Sequence, residues 1–218
     1  DTDWYKELLR SALITNHSLG ISGGTEKSTY SVGMSYLYQD GVMDVENNYK
    51  RLNFRAALDY EATNWLKVGF NGEFSNSTQV LPQNKAWQQA FNAPGIYPVY
   101  DSANDNTFPD KYASPDAVGF TANFYNPVAT ANYYDSQNEN YQVLTNFYAQ
   151  FQLLPEKLNF RTSYSYDYSA IRGREYIAPY YVSSWQQQAV SELTKKDTNY
   201  YNYIWDNILT YNNQWGKH

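Results

Sequence analysis

Lys50-Arg-Leu-Asn-Phe-Arg-Ala-Ala-Leu-Asp-Tyr-Glu-Ala-Thr-Asn-Trp-Leu-Lys-Val-Gly-Phe-Asn-Gly-Glu-Phe-Ser75 is the stretch that decides the fold. Up to Ala62 it sets Leu52, Phe54, Ala56, Leu58 and Tyr60 opposite Asn53, Arg55, Ala57, Asp59 and Glu61. After a turn at Thr63-Asn64, Leu66, Val68, Phe70, Gly72 and Phe74 oppose Lys67, Gly69, Asn71, Glu73 and Ser75. Side chains alternate across a strand with period two, whereas a helix would scatter these apolar groups around its circumference. The stretch therefore predicts an antiparallel hairpin with all its charges on one face.

The same alternation recurs wherever the chain is regular, and predicts seven strands near residues 18–22, 28–38, 50–62, 66–75, 141–153, 158–168 and 200–211. Leu37, Leu144 and Tyr148 break the pattern. Residues 23–27, 63–65, 155–157 and 213–217 are short turns, while 39–49, 76–140 and 169–198 are long. In a meander alternate connections emerge at the same end, so all short turns share one rim and all long loops the other. Tight periplasmic turns and long extracellular loops characterise transmembrane barrels. Strands of about 11 residues at roughly 3.3 Å each, tilted about 40°, span on the order of 27 Å, close to the apolar band of an outer membrane. Before the strands, Asp1 or Thr2 can cap a short helix bearing Trp4, Leu8 and Leu9.

Composition narrows the function classes. The 218 residues carry 16 Lys+Arg against 22 Asp+Glu, a net charge of −6 that argues against nucleic acid as a partner. Without Cys there are no disulfides, thiol nucleophiles or Cys-ligated metals, and His17 and His218 are the only imidazoles. No nucleophile and base arrangement is visible, so no enzyme activity, cofactor or metal is expected. Mean hydropathy of −0.71 and the lack of a long apolar run exclude a helical span but not a barrel. The 24 Tyr among 18% aromatic residues fit lipid-facing surfaces and interfacial girdles, with Tyr36, Tyr38, Trp65, Tyr166, Tyr168, Tyr211 and Trp215 as girdle candidates.

Basic residues at mid-depth in hydrocarbon cost roughly 2–4 kcal/mol. Arg55, Asp59, Lys67, Glu73, Arg161 and Asp167 are accordingly expected to face a lumen, and the Tyr/Phe/Leu faces to meet lipid. The alternative is a soluble, secreted carbohydrate-binding β-protein, a sandwich or propeller whose aromatics form its core.

Several segments resemble SusC/RagA-type TonB-dependent outer-membrane transporters. These are Thr2-Asp-Trp4, Asn16-His-Ser-Leu-Gly-Ile-Ser-Gly-Gly24, Glu26-Lys-Ser-Thr-Tyr30, Tyr36-Leu37 with Asp40-Gly41, Lys50-Arg-Leu-Asn-Phe-Arg55, Asn64-Trp-Leu-Lys-Val-Gly69, Tyr97-Pro-Val-Tyr-Asp101, and Asn207-Ile-Leu-Thr-Tyr211 before Gly216-Lys-His218. The resemblance implies an all-β fold, an antiparallel transmembrane barrel of about 22 strands of which this chain supplies seven. It makes residues 1–16 the plug-to-barrel junction with its short helix, and residues 17–218 a partial receptor barrel from the N-terminal part. It further implies a Gram-negative outer-membrane location, TonB acting through a region absent from this sequence, a SusD-like surface lipoprotein as partner, and import of oligosaccharide or peptide. Residues 1–10 do not read as a signal peptide, and seven strands cannot close such a barrel. The chain thus reads as a piece of a longer one.

Among loop residues, Trp87, Tyr97 and Tyr100 in the connection 76–140 and Trp185 in 169–198 are the candidates for substrate binding, since flat rings stack on sugars or partners at low entropic cost. Phe91, Phe108, Tyr112, Phe120, Phe124 and Tyr125 share the first connection, where packing of the loop onto itself is the simpler role. Gln186-Gln-Gln188 could hydrogen-bond hydroxyls or peptide groups. Asp101-Ser-Ala-Asn-Asp-Asn106 offers calcium-compatible oxygens but lacks the spacing and glycine of a calcium loop, so a plain Asn/Asp turn is the stronger expectation.

Overall fold

The computed structural model describes residues 1–115, 119, 124–214 and 216. Phe120, Trp215, Lys217 and His218 lie outside these. The regular elements are α1 (Trp4–Leu8), β1 (Ile14–Gly24), β2 (Ser28–Asp40), β3 (Asn48–Thr63), β4 (Leu66–Leu81), α2 (Lys85–Asn92), α3 (Pro127–Asn132), β5 (Tyr134–Leu154), β6 (Leu158–Ile177), β7 (Tyr180–Tyr181), β8 (Gln187–Gln188) and β9 (Glu192–Tyr211).

Seven strands form one antiparallel sheet in the order β1-β2-β3-β4-β5-β6-β9, and β7 pairs only with β8. The sheet is open. Each rung crosses it in register, so one row runs Met34, Phe54, Phe74, Val143, Tyr168 and Tyr201. The adjacent row on the other face runs Gly33, Arg55, Glu73, Leu144, Asp167 and Asn202. Arg55, Asp59, Lys67, Glu73, Arg161 and Asp167 all stand on this second, polar face. Leu37, Leu144 and Tyr148 share it.

Burial runs opposite to that of a water-soluble protein. Phe54 and Leu58 are each 45% exposed, and Trp205 is 71% exposed, while Asn53 on the polar face is buried. A soluble sandwich would cover the apolar face with a second sheet, because leaving such rings wet forfeits their burial energy. Among the described residues no second large sheet covers it.

Several strands run well past the ends that the alternation predicts: β5 has 21 residues, β6 and β9 have 20 each. The apolar face ends abruptly at a row of Tyr38, Lys50, Thr78, Glu139, Arg172 and Asp197. Beyond that row both faces carry polar residues, so pairing continues without alternation and periodicity cannot mark its end. Tyr166 and Tyr168, expected at a strand end, consequently sit on interior rows, where their rings pair with Tyr203 at 5.2 Å and Tyr201 at 5.1 Å. Trp65 does lie at the short-turn end, stacked on Phe151 at 6.2 Å.

The long connections shrink to residues 41–47, 82–133 and 178–191. The second is not structureless, because its helices and the first connection build a small core against α1. Trp4, Leu8, Met43, Ala86, Tyr97 and Val182 are among its buried residues. In α2, Ala86 and Ala90 are one turn apart and turn the same face inward. Asn126 caps α3, accepting from the N–H groups of Val128 and Ala129 at 3.2 Å each, with Pro127 in the first turn where its missing N–H costs nothing. Asp3 caps α1 by accepting from the Lys6 N–H at 3.2 Å. Because Ile14 pairs with Gln39 while Gly24 pairs with Thr29, β1 begins at the long-connection rim. There α1 is seated, its Trp4 indole donating to the Pro94 carbonyl at 3.0 Å.

Candidate functional site

Two surfaces hold the functional candidates: the folded cap at the long-connection rim and the polar face of the sheet. On the cap, Tyr97 is fully buried beside Trp4, ring centroids 5.5 Å apart, with its hydroxyl donating to the Ala113 carbonyl. It builds the core and offers no surface to a ligand, which corrects the binding role expected of it. Trp87 is partly exposed against Tyr5 at 5.8 Å, and Trp185 is exposed at the tip of the β7–β8 hairpin.

Tyr100 is the accessible end of a chain of rings. It stacks on Tyr112 at 5.1 Å, Tyr112 meets Tyr133 edge-on at 5.7 Å, and Tyr133 stacks on Tyr180 at 4.4 Å. The Tyr133 hydroxyl donates to Asp110 Oδ2 at 2.8 Å. Burial, reinforced by the Asp110 carboxylate, raises the Tyr133 phenol well above its ordinary value. Burial likewise raises that of Tyr112. Both rings are therefore neutral supports, and they hold Tyr100 with 59% of its surface open for stacking.

Gln186, whose amide could have bonded the hydroxyls or peptide groups of a ligand, is bonded within the protein instead. Its amide is buried, accepting from the Asn126 N–H at 2.8 Å and donating to the Asn126 carbonyl and Thr130 Oγ1, both at 2.8 Å. It pairs with backbone as a strand would, tying the connection 178–191 to the start of α3. Nothing local in the sequence marks Gln186 as the partner of Asn126 sixty residues away.

The turn at 101–106 behaves as an Asn/Asp turn. Asp101 Oδ1 accepts from the Ala103 N–H and Asn104 Oδ1 from the Asn106 N–H, each at 3.0 Å. Lys111 supplies the cation, its Nζ lying 2.6 Å from Asp105 Oδ1 and 3.0 Å from the Asn104 carbonyl. This ammonium holds the Asp105 carboxyl below its usual range. Among the described residues no cluster of His, Asp and Glu could hold a metal.

On the polar face, Arg55 Nε lies 3.1 Å from Glu73 Oε2 and Lys67 Nζ 3.9 Å from Asp59 Oδ2. Asn53 Nδ2 donates to Ser35 Oγ at 3.1 Å, and Asn53 Oδ1 accepts from Ser75 Oγ at 2.8 Å. A concavity of 740 Å³ spans this face between Ser31, Arg55, Asn71, Asn146, Asp167 and Asn202. Asp167 Oδ1 is buried there with no protein donor. The surface is chemically suited to wetting and to hydrogen-bonded ligands.

No family model matches the chain. Over 237 aligned residues, covering all of this chain, it is 25% identical to TonB-dependent receptor P3 of Formosa agariphila. It is 26% identical over 131 residues, 58% of this chain, to TonB-dependent receptor SusC of Bacteroides thetaiotaomicron. This chain is similar to SusC/RagA-type TonB-dependent receptors. The chain spans only 22% of the length of receptor P3 and 13% of that of SusC. The solved RagAB peptide importer in its closed-closed state superposes with a TM-score of 0.71 at 20% identity, over 99% of this chain and 24% of that one. Its open-open state gives 0.68 over 97% of this chain. The TonB-dependent receptor resemblance thus holds in sequence and in fold, and the open sheet is the geometry of a barrel segment.

Proposed function

We propose that this chain is a section of the barrel wall of an active outer-membrane transporter in a Gram-negative bacterium, energised through TonB and importing a large nutrient, oligosaccharide or peptide. One observation carries the proposal: a single sheet turns Phe54, Leu58 and Trp205 outward and keeps the charged pairs Arg55–Glu73 and Lys67–Asp59 on the opposite face. Hydrocarbon favours that first face and water the second. The likeness to receptors whose names include TonB supports an energised importer over a passive pore.

In this proposal the polar face lines the lumen and the rim cap faces outward, where Tyr100, Trp87 and Trp185 are placed to meet substrate or a SusD-like lipoprotein. Transport needs no bond-making, so it asks for no nucleophile and base pair. The test is nutrient uptake by cells expressing the full-length protein, with and without TonB. Uptake that ceases without TonB is expected; uptake that persists would make the protein a passive channel, and a full-length protein monodisperse without detergent would remove it from the membrane.

A further inference from the structure

Straddling the row where the apolar face ends, the polar face holds a second, more enclosed concavity of 430 Å³. Its lining includes Tyr49 on β3, Asn138 and Asn140 on β5, and Lys196, Thr198 and Tyr200 on β9. The row Tyr49, Gln79, Asn138, Gly173 and Lys196 crosses its centre. Gly173 matters here, because a methyl group at that position would stand 2.9 Å from Asn138 Oδ1 and 3.7 Å from Lys196 Cβ, closing the floor.

Resting on the transporter proposal, we infer that this concavity is a lumenal subsite for an anionic saccharide unit, one bearing a carboxylate or a sulfate. Its volume falls in the range of about 300–1,000 Å³ typical of ligand sites. Two tyrosines at opposite sides give flat faces for a sugar ring, while amides and hydroxyls between them supply both donors and acceptors. Among the lining residues Ile171 is the lone aliphatic side chain, so the cleft offers little to the side chains of a peptide. No carboxylate lines it. Lys196 has no ion pair among the described residues, and the nearest acid on this face by register, Glu175, lies opposite Thr194 two rows further out. An ammonium in that position selects an anionic substituent among otherwise similar sugars.

Adjacent lysines make the experiment specific, since successive residues of β9 point to opposite faces. Lys196→Met removes the proposed ligand contact, and Lys195→Met is its control on the outer face. Detergent-solubilised full-length protein is titrated calorimetrically with oligogalacturonate, a sulfated galactan oligosaccharide, neutral maltooligosaccharide and an acidic hexapeptide. Loss of one charge-assisted hydrogen bond predicts affinity for at least one anionic sugar falling about tenfold or more in Lys196→Met, with Lys195→Met unchanged. Whichever sugar responds identifies the anionic group. Equal affinity of both variants for every anionic sugar overturns the inference, as does tighter binding of maltooligosaccharide or of the peptide by the parent protein. Either result with TonB-dependent uptake intact sinks the subsite alone, whereas TonB-independent uptake sinks the transporter proposal.

Discussion

Tyr148 lies flat across the backbone of Gly69, its partner on the neighbouring strand, and delivers its hydroxyl to the carboxylate of Asp59 one strand further on. The Arg161 guanidinium lies over the same ring, 4.1 Å from its centroid. Four strands are thereby stitched together on the polar face by one phenol that interrupts the alternation. A large ring is accommodated there only because its neighbour has no side chain.

Replacing Gly69 with valine should drive the ring off its site, since any Cβ at that position collides with it. Overpacking of this kind costs about 1–3 kcal/mol, read as reduced urea resistance of the full-length barrel. Tyr148→Phe keeps the ring and removes the hydroxyl, so it should cost less than Gly69→Val. Unchanged urea resistance in Gly69→Val would show that the ring is not held where it is seen.

Exchanging the faces of one hairpin tests which solvent each meets. Phe54→Arg places a cation on the apolar row and should cost about 2–4 kcal/mol near the membrane mid-plane. Asn71→Lys adds a cation to the exposed polar face of the adjacent strand and should be nearly neutral. The readout is the amount of heat-modifiable, folded barrel in the outer membrane. Equal assembly of both variants would contradict the assignment of lipid to the Phe54 face.

How much of this was legible depends on what each segment touches. Between Leu52 and Phe74, outside the turn at residues 63–65, each strand has an apolar face and a polar one, and that contrast writes a period of two into the sequence. The direct cross-strand pairs, such as Arg55 with Glu73, follow from that period together with the turn. Beyond Lys50 and Thr78 that contrast ends, and residues 134–140 of β5 carry polar groups on both faces, so its extension is silent. In the cap, Tyr97 and Tyr100 have the same chemistry and sit three residues apart, yet one is buried and the other open. That difference is set by Trp4 and Ala113, distant contacts that no local pattern records.

Gln186→Leu should release the connection 178–191 from α3. The substitution leaves the Asn126 N–H without its partner in a buried site, at about 1–3 kcal/mol, while the Asn126 carbonyl keeps the Thr130 N–H at 3.1 Å. Limited proteolysis of the full-length protein should then cut between residues 178 and 191 while the strands stay protected. A cleavage pattern identical to that of the parent would show that the amide is not the tie.

Asp105 and Lys111 form an exposed pair that a titration can isolate. The Asp105 carboxyl should titrate below its ordinary 3.8 in the folded protein and return toward it in Lys111→Met. The sign follows from linkage: a depressed folded value gives a contribution present above the unfolded value and lost as pH falls through the folded one. Carboxylate chemical shifts followed from pH 6 downward check it, and an Asp105 midpoint unaffected by Lys111→Met would dissolve the pairing.

Tyr133 should contribute to the alkaline limit of the cap. Its phenol is neutral, donates to Asp110 and is raised above the unfolded value of about 10. A raised folded value means the contribution is complete below about pH 10 and is lost as pH climbs toward the folded value, because only the unfolded chain can ionise cheaply. A phenolate there would also face the Asp110 carboxylate. Tyr133→Phe should therefore weaken the cap near neutrality, through the lost hydrogen bond, yet flatten its dependence on pH above about 10. Protease protection of residues 82–133, followed from pH 8 to 12, distinguishes the two proteins. Parallel loss of protection in both would place the alkaline sensitivity elsewhere in the ring chain, with Tyr112 the next group to replace.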